Sequence, residues 1–230
     1  MSWPNAKKEK LKVNYSFILS PVFLQLKQIV STKFLGNPVD LSIRMGHGYA
    51  FSDHYARDWR SSNSIYGVAE QTGVHFINAS MHLLGDINSS VVNFANFSSK
   101  GHSPDTSNII LTMENDVSVK IFNSYAIPYQ FELLLTCTNG IYRYDGFEER
   151  IYTPRDYFDE NSRYVLPPAT YVNPISYRQN WNTGLENSLL SFLQFVIECN
   201  PFDMRDLYTA AASMDPLFKS KILRDGGLSK

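Results

Sequence analysis

The chain has 230 residues, of which 43% are hydrophobic and 19% charged, a composition typical of a folded globular protein and not of a disordered one. Its formal net charge of -1 excludes a strong general attraction to nucleic acid or to an anionic membrane. The two cysteines have no second Cys or His at metal-ligand spacing, and no stretch has the pattern of a signal peptide or membrane span, so we expect a cytoplasmic protein.

The first predicted elements are a strand, a helix and a second strand. Alternation over residues 11–17 predicts a short strand, and Ser20 followed by Pro21 is typical of a helix N-cap and first helical position. Apolar residues at helical spacing continue that helix towards Gly36. Alternation resumes over residues 39–45, and the following residues 46–64, rich in Gly, Ser, His and Asp, predict a long loop.

After this loop the hydrophobic period changes from helical to alternating. Residues 66–84 have apolar side chains at spacings of three and four, which predicts a helix that ends before Gly85. Short turns separate the strand candidates that follow, which is typical of an antiparallel meander. These candidates are residues 91–97, 107–113, 117–125, 130–136, 141–144 and 149–152, and two helices follow at 183–199 and 203–223.

This order of elements predicts the fold class. Strands followed by helices in separate runs indicate an α+β fold with an open, mainly antiparallel β-sheet and helices on one face. The strand at residues 11–17 is expected at the periphery of that sheet. No internal repeat or second complete set of elements is present, so we expect one domain.

The residues around the helix at 66–84 carry a family resemblance. The motifs occur in this order along the chain: Asp58-Trp59-Arg60, Gly67, Gly73-Val74-His75 followed by Asn78, and Leu84-Gly85. This order and spacing resemble the Gfo/Idh/MocA oxidoreductases, in which a Trp-Arg loop leads to a Gly-rich helix start, a Gly-x-His-x-x-Asp motif and a Leu-Gly helix end. The similarity extends from about Lys12 to Leu223 and implies the C-terminal, substrate-binding domain without the N-terminal Rossmann domain.

The resemblance also implies a domain division and a cofactor. Residues 1–17 would be a remnant of the preceding domain junction, and residues 18–230 the substrate-binding and oligomerisation domain. NAD or NADP is implied for a full-length family member. A dinucleotide needs a Gly-x-Gly-x-x-Gly turn between a strand and a helix. The nearest string, Gly46-His47-Gly48, has Phe51 in place of the third glycine, and the family's Glu-Lys-Pro stretch is absent, so we expect no cofactor bound to this chain alone.

His75 is the candidate catalytic residue. In resembling sugar dehydrogenases a histidine at this position helps to remove the proton of the substrate hydroxyl, assisted by an Asp four residues earlier. Here that position is Gln71, which cannot accept a proton, and the family's second Asp is replaced by Asn78. A partly buried structural histidine is an equal alternative. We expect His75 to face a cavity bordered by residues 47–60, with these substrate-binding candidates: Tyr55, Trp59, Arg60, Gln71 and Asn78.

Two hypotheses of function follow from these observations. The first is the substrate-binding and oligomerisation domain of an NAD(P)-dependent sugar or nucleotide-sugar oxidoreductase, not catalytic as an isolated chain. The second is a standalone, non-catalytic domain of the same fold that binds a sugar or a protein. Whether the chain takes part in an enzyme is left open. Apolar residues on both faces of the predicted strands at 107–113 and 117–125 predict a homodimer or larger homo-oligomer through the sheet face without helices.

Overall fold

Eight strands form one open sheet in the computed structural model, which describes residues 11–62, 65–198 and 204–226. The strands are β1 Pro38–Gly46, β2 Ile87–Ala95, β3 Thr106–Met113, β4 Ser118–Ser124, β5 Gln130–Cys137, β6 Gly140–Tyr144, β7 Glu148–Tyr152 and β8 Ala169–Pro174. The longer helices are α1 Pro21–Thr32, α2 Val74–Leu84, α3 Tyr177–Glu198, α4 Met204–Ala212 and α5 Asp215–Gly226.

The strand order across the sheet is β2-β3-β4-β1-β5-β6-β7-β8. Only the pairing of β1 with β4 is parallel among the pairings of the described strands, and the other neighbours are antiparallel. The parallel pair arises because the chain leaves β1, forms α2 and the β2-β3 hairpin, and returns beside β1 with β4. The predicted α+β fold with an open, mainly antiparallel sheet is confirmed.

Side chains alternate between the two faces of the sheet. On one face the central strands contribute buried residues such as Leu41, Ile109, Val119 and Leu133 to the main core, which the helices cover. On the other face, partly or fully exposed residues such as Ile110, at 45% exposure, alternate with them. The sheet therefore has one covered and one open face, as expected for an antiparallel sheet with helices on one side.

Helix α1 begins where the sequence pattern predicts and ends at Thr32, four residues before Gly36. The Ser20 hydroxyl accepts a hydrogen bond from the Phe23 amide at 3.4 Å, and Pro21 occupies the first helical position, where no amide hydrogen is needed. At the other end, Lys33 adopts a left-handed conformation with φ of 54° before Gly36.

The predicted strand at residues 11–17 is wrong. Residues 11–15 belong to no strand, and Ser16–Leu19 forms a 3-10 helix that buries Phe17 in the main core. The polar groups of this segment bond to α3 instead of a strand: Ser188 donates to Asn14 and Asn187 to the Leu19 carbonyl. Gly184 of α3 permits this close packing, because a Cβ at that position would lie 2.8 Å from the Ser16 carbonyl oxygen.

Two further differences concern the C-terminal part. Strand β8 was not predicted, because its residues are mostly exposed and give no alternating hydrophobic pattern. The predicted helix at 203–223 is two helices, α4 and α5. The break falls just before Pro216, whose missing amide hydrogen cannot continue the helix. Within the described ranges, no helix is long and apolar enough to cross a membrane.

Candidate functional site

Gly67 fixes the start of the segment that carries His75. Its φ is +53°, and a Cβ at this position would lie 1.8 Å from the Pro104 carbonyl oxygen, so only glycine fits. The next residue, Val68, donates its amide hydrogen to that same carbonyl at 3.0 Å. This contact ties the segment to the residues that lead into β3.

A π-helical turn, Ala69–Gly73, connects this contact to α2. Such turns are rare and often occur at functional sites. A Cβ on Gly73 would lie 3.0 Å from Ile109 Cδ1 and 3.2 Å from Asn123 Nδ2, so the missing side chain lets the helix start lie against β3 and β4. The backbone before His75 is therefore held against the sheet.

His75 lies between two aromatic rings from distant parts of the chain. The Tyr15 ring is 5.2 Å away and the Trp181 ring 6.4 Å away, both edge-on. The imidazole is partly exposed, yet its Nδ1 atom is buried and has no hydrogen-bond partner in the described part of the protein. Burial lowers the pKa of His75 below its ordinary value of 6.5, so the ring is neutral at pH 7.

Gln71 lies four residues before His75 and is hydrogen-bonded to the loop. Its Nε2 donates a hydrogen bond to the Arg60 carbonyl at 3.3 Å. Its Oε1 is buried and, like Nδ1 of His75, has no partner among the described residues. Gln71 and His75 thus each hold one buried hydrogen-bonding atom without a partner in the described part of the protein, and a hydroxyl group or a water molecule can satisfy such an atom.

Asp58 organises the loop part of the site. Its carboxylate accepts hydrogen bonds from the Tyr49 hydroxyl and from the Arg60 backbone amide at 3.0 Å, and pairs with the Arg60 guanidinium at 3.2 Å. The hydrogen bond from Tyr49 is the largest cause that lowers the pKa of Asp58. The Arg60 guanidinium also lies 4.7 Å from the centre of the Trp59 ring, which is 52% exposed.

Two of the predicted binding residues are fully buried. Tyr55 belongs to a small cluster with Tyr125 and Val68, and burial is the largest cause that raises its pKa to about 12. Asn78 has no exposed surface, and neither polar atom of its side chain has a partner within the described part of the chain.

The residues present do not fit a dinucleotide. Strand β1 ends at Gly46, and Gly48–Phe51 is a four-residue 3-10 helix, so no extended helix N-terminus is available for a pyrophosphate. A metal ion has no evident ligand set either, because no group of three His, Cys, Asp or Glu side chains occurs in the described ranges. The neutral imidazole of His75 has in Nδ1 an unpaired nitrogen, and such a nitrogen can accept a hydrogen bond or a proton.

Of the site residues expected from the sequence, Arg60 contacts both Trp59 and Gln71 in the structure, whereas His75 lies against Tyr15 and Trp181. Tyr15 and Trp181 were not predicted from the sequence. Their positions in the chain, about 60 and 106 residues from His75, leave no local pattern that could have revealed them. The expected open cavity between His75 and residues 47–60 stays a prediction.

The family model described as GFO/IDH/MocA C-terminal domain matches residues 23–143. No curated protein sequence matches the chain.

Solved structures with the same fold include three dehydrogenases or oxidoreductases. An Agrobacterium radiobacter oxidoreductase, solved with NAD+, L-tartaric acid and magnesium, has 15% identity and a TM-score of 0.69 over 92% of this chain and 63% of its own. A Corynebacterium glutamicum myo-inositol dehydrogenase has 16% identity and a TM-score of 0.67 over 94% and 64%. A levoglucosan dehydrogenase, solved with NADH and L-sorbose, has 11% identity and a TM-score of 0.68 over 90% and 62%. The chain thus spans less than two thirds of each of these structures, and the low identities establish the shared fold alone.

Proposed function

The chain belongs to the GFO/IDH/MocA family, and we propose that it is the substrate-binding and oligomerisation domain of an NAD(P)-dependent sugar or nucleotide-sugar oxidoreductase. The observation that carries this proposal is the pair of buried, unpartnered atoms, Gln71 Oε1 and His75 Nδ1, beside an exposed Trp-Arg loop. The hydroxyl groups of a sugar can supply hydrogen-bond partners for such atoms.

The proposed roles follow from burial and from available atoms. His75 contacts the substrate and accepts the proton of the reacting hydroxyl, which its neutral ring permits at pH 7. Gln71 accepts a second hydroxyl proton in a hydrogen bond but cannot take the proton away. Trp59 and Arg60 contact the outer part of the ligand, while Tyr55 and Asn78, which are fully buried, do not reach it.

The cofactor chemistry does not belong to this chain. No Gly-x-Gly-x-x-Gly occurs in the 230 residues, and the Gly46-x-Gly48 turn does not fit a pyrophosphate. We therefore propose that the isolated chain binds its sugar without oxidising it. A cytoplasmic location and the absence of a nucleic-acid partner stay predictions from composition.

Two binding measurements on the isolated chain test this proposal. Ligand-observed NMR with myo-inositol and L-sorbose should show binding that is lost in His75→Ala and retained in His54→Ala, a matched change in the exposed loop. Calorimetric titration with NADH should show no binding at micromolar concentration. Micromolar NADH binding, or sugar binding that His75→Ala leaves intact, would contradict the assignment.

A standalone binding domain is the second candidate. The replacement of both family carboxylates by Gln71 and Asn78 favours it, because neither amide can take part in proton transfer. The coding sequence that precedes Met1 discriminates between the two candidates. A Gly-x-Gly-x-x-Gly unit encoded there supports the oxidoreductase, whereas a translation start at Met1 supports the binding domain.

We also propose that two copies associate through the open face of the sheet. A row of cross-strand neighbours on this face contains three exposed apolar residues: Val91, Ile110 and Leu134, at 57%, 45% and 36% exposure. Polar pairs surround them, such as Lys120 with Asp40 at 2.6 Å. Apolar groups within a charged frame are typical of an interface between soluble subunits.

A further inference from the structure

We propose that the edge strand β2 binds an extended segment of a partner polypeptide, which adds to the sheet beside β2 and places a basic side chain against Asp86 and Asp215. This binding surface uses other residues than the site at His75 and is independent of the proposed function. The composition of the two sheet edges, a groove beside β2 and the charges at one end of that groove support it.

The two edges of the sheet differ in how they are protected against a further strand. Strand β8 starts directly after Pro168 and ends at Pro174, and proline lacks the amide hydrogen that a pairing strand needs. Strand β2, at the opposite edge, contains neither proline nor a charged residue. Among the described residues, 90–93 make no backbone hydrogen bond outside their pairing with β3. The outward backbone groups of this stretch are therefore free to pair with another chain.

A groove runs along this edge between β2 and α5. A cavity of about 280 Å³ has the consecutive residues 90–93 on one side and Pro216, Lys219 and Ser220 on the other. Successive side chains of a strand point to opposite faces, so a wall made of consecutive residues consists largely of strand backbone. The three α5 residues share one helix face. An extended segment can thus reach the edge backbone with a helix beside it, an arrangement suited to strand addition.

The position of α5 also decides between a peptide and a second copy of the chain. A single extended segment fits a groove that has a helix on one side. Pairing of β2 with β2 of a second copy would bring the α5 helices of both copies into the same space. We therefore assign the groove to one segment of a different polypeptide.

The charges at one end of the groove favour a basic segment. A smaller space of about 70 Å³ shares Ser90 and Lys219 with the groove and is also lined by Asp86, Asp215 and Tyr208. Neither carboxylate forms an ion pair with a described residue, and the Lys219 ammonium does not either. Two carboxylates against one ammonium leave this end negative, so a lysine or arginine of the bound segment is favoured over an acidic residue.

NMR titration of the isotope-labelled chain with three blocked peptides tests the proposal. The first is acetyl-Thr-Val-Lys-Val-Thr-amide, the second has Glu in place of Lys, and the third has Pro in place of the second Val. The lysine peptide should shift the backbone amide signals of residues 90–93 and bind at least about tenfold more tightly than the glutamate peptide. The proline peptide should not bind, because it lacks an amide hydrogen needed for pairing.

A charge variant tests the assignment of the two carboxylates. In the double variant Asp86→Asn with Asp215→Asn, the lysine and glutamate peptides should bind alike, since the negative end of the groove is gone. Asp53→Asn with Asp156→Asn removes the same charge from exposed positions elsewhere and should retain the preference for lysine.

Four results would overturn the proposal. They are no binding of the lysine peptide, shifts that leave residues 90–93 unchanged, equal affinity of the unaltered chain for the lysine and glutamate peptides, and undiminished binding of the proline peptide. Nuclear Overhauser contacts between the β2 backbones of two copies, in a mixture of labelled and unlabelled chain, would identify a second copy as the occupant and overturn it as well.

Discussion

Gln71 and His75 lie about one helical turn apart, and each holds a buried hydrogen-bonding atom, Oε1 and Nδ1, that has no partner within the described residues. Buried polar atoms are nearly always paired in folded proteins. Gln71 and His75 are therefore suitable positions at which to test the site by substitution.

Replacing Gln71 with Asp should raise the pKa of His75 by about one unit or more, because a carboxylate one turn away stabilises the imidazolium form. The imidazole signals in NMR spectra, recorded from pH 4 to 9, measure this shift. Gln71→Asn, which shortens the side chain equally without adding charge, should leave the pKa of His75 below its ordinary value. If the pKa of His75 were the same in the two variants, the side chains at positions 71 and 75 would not interact.

The low pKa of His75 should also make folding depend on pH. Burial depresses the folded-state pKa below 6.5, so the unfolded chain binds the proton first as the pH falls. The free energy of unfolding should therefore be fully retained above about pH 6.5 and decrease below it. Urea titrations at several pH values should show a smaller decrease in His75→Gln than in the unaltered protein. His54→Gln, in the loop, should retain the full decrease.

Removing an aromatic ring that packs against His75 should raise the pKa of His75 part of the way back to its ordinary value. Trp181→Ala removes one of the two rings beside the imidazole and admits water, which favours the charged form. We expect the pKa of His75 to move upward towards 6.5 in NMR titrations. Trp59→Ala, an exposed tryptophan of the loop, is the control and should not change it.

Gly67→Ala should destabilise the protein by at least about 2 kcal/mol, because a left-handed backbone conformation and a clash with the Pro104 carbonyl act together. Urea unfolding followed by circular dichroism measures the loss. Gly48→Ala should cost far less, since the nearest atom to a Cβ there is 3.8 Å away and its φ is not positive. A tolerated Gly67→Ala would contradict the close contact on which the placement of His75 depends.

A buried carboxylate outside the site gives a prediction on stability. Glu149 is 2% exposed and accepts hydrogen bonds from the Tyr142 hydroxyl and the Asn173 amide, both at 2.6 Å. Tyr142→Phe removes one partner and leaves that oxygen buried and unpaired, which should cost about 1–3 kcal/mol in urea unfolding. Tyr164→Phe, at an exposed ring, should change stability by less than about 0.5 kcal/mol.

The open sheet face should hold two copies together. Light scattering at micromolar concentration should give at least about twice the 26.3 kDa of one chain. Ile110→Glu combined with Leu134→Glu should reduce the mass to that of a monomer, because both charges would be buried in the interface. Leu189→Glu, at an exposed leucine on α3, should leave the oligomer intact. A monomeric mass for the unaltered chain would refute the proposed interface.

The elements that sequence patterns determined are those in which local periodicity and capping agree. Helix α1 begins at Ser20 and Pro21 as predicted. The strands β1 to β7 lie within a few residues of their predicted bounds, because a sheet that is covered on one face buries every second residue and so produces an alternating hydrophobic pattern in the sequence. Local motifs also identified Gly67, His75 and Gly85, where backbone geometry or chemistry restricts the residue type. Gln71 and Asn78 were recognised from the same motif as departures from it.

Tertiary structure alone decided the rest. Residues 11–17 alternate like a strand, yet bonds to Ser188 and Asn187 of α3 and burial of Phe17 in the core place them along a helix. The enclosure of His75 by Tyr15 and Trp181, and the orientation of Gln71 by the Arg60 carbonyl, depend on contacts between distant segments. Such contacts leave no periodic signal, because they depend on how whole elements pack and not on the order of neighbouring residues.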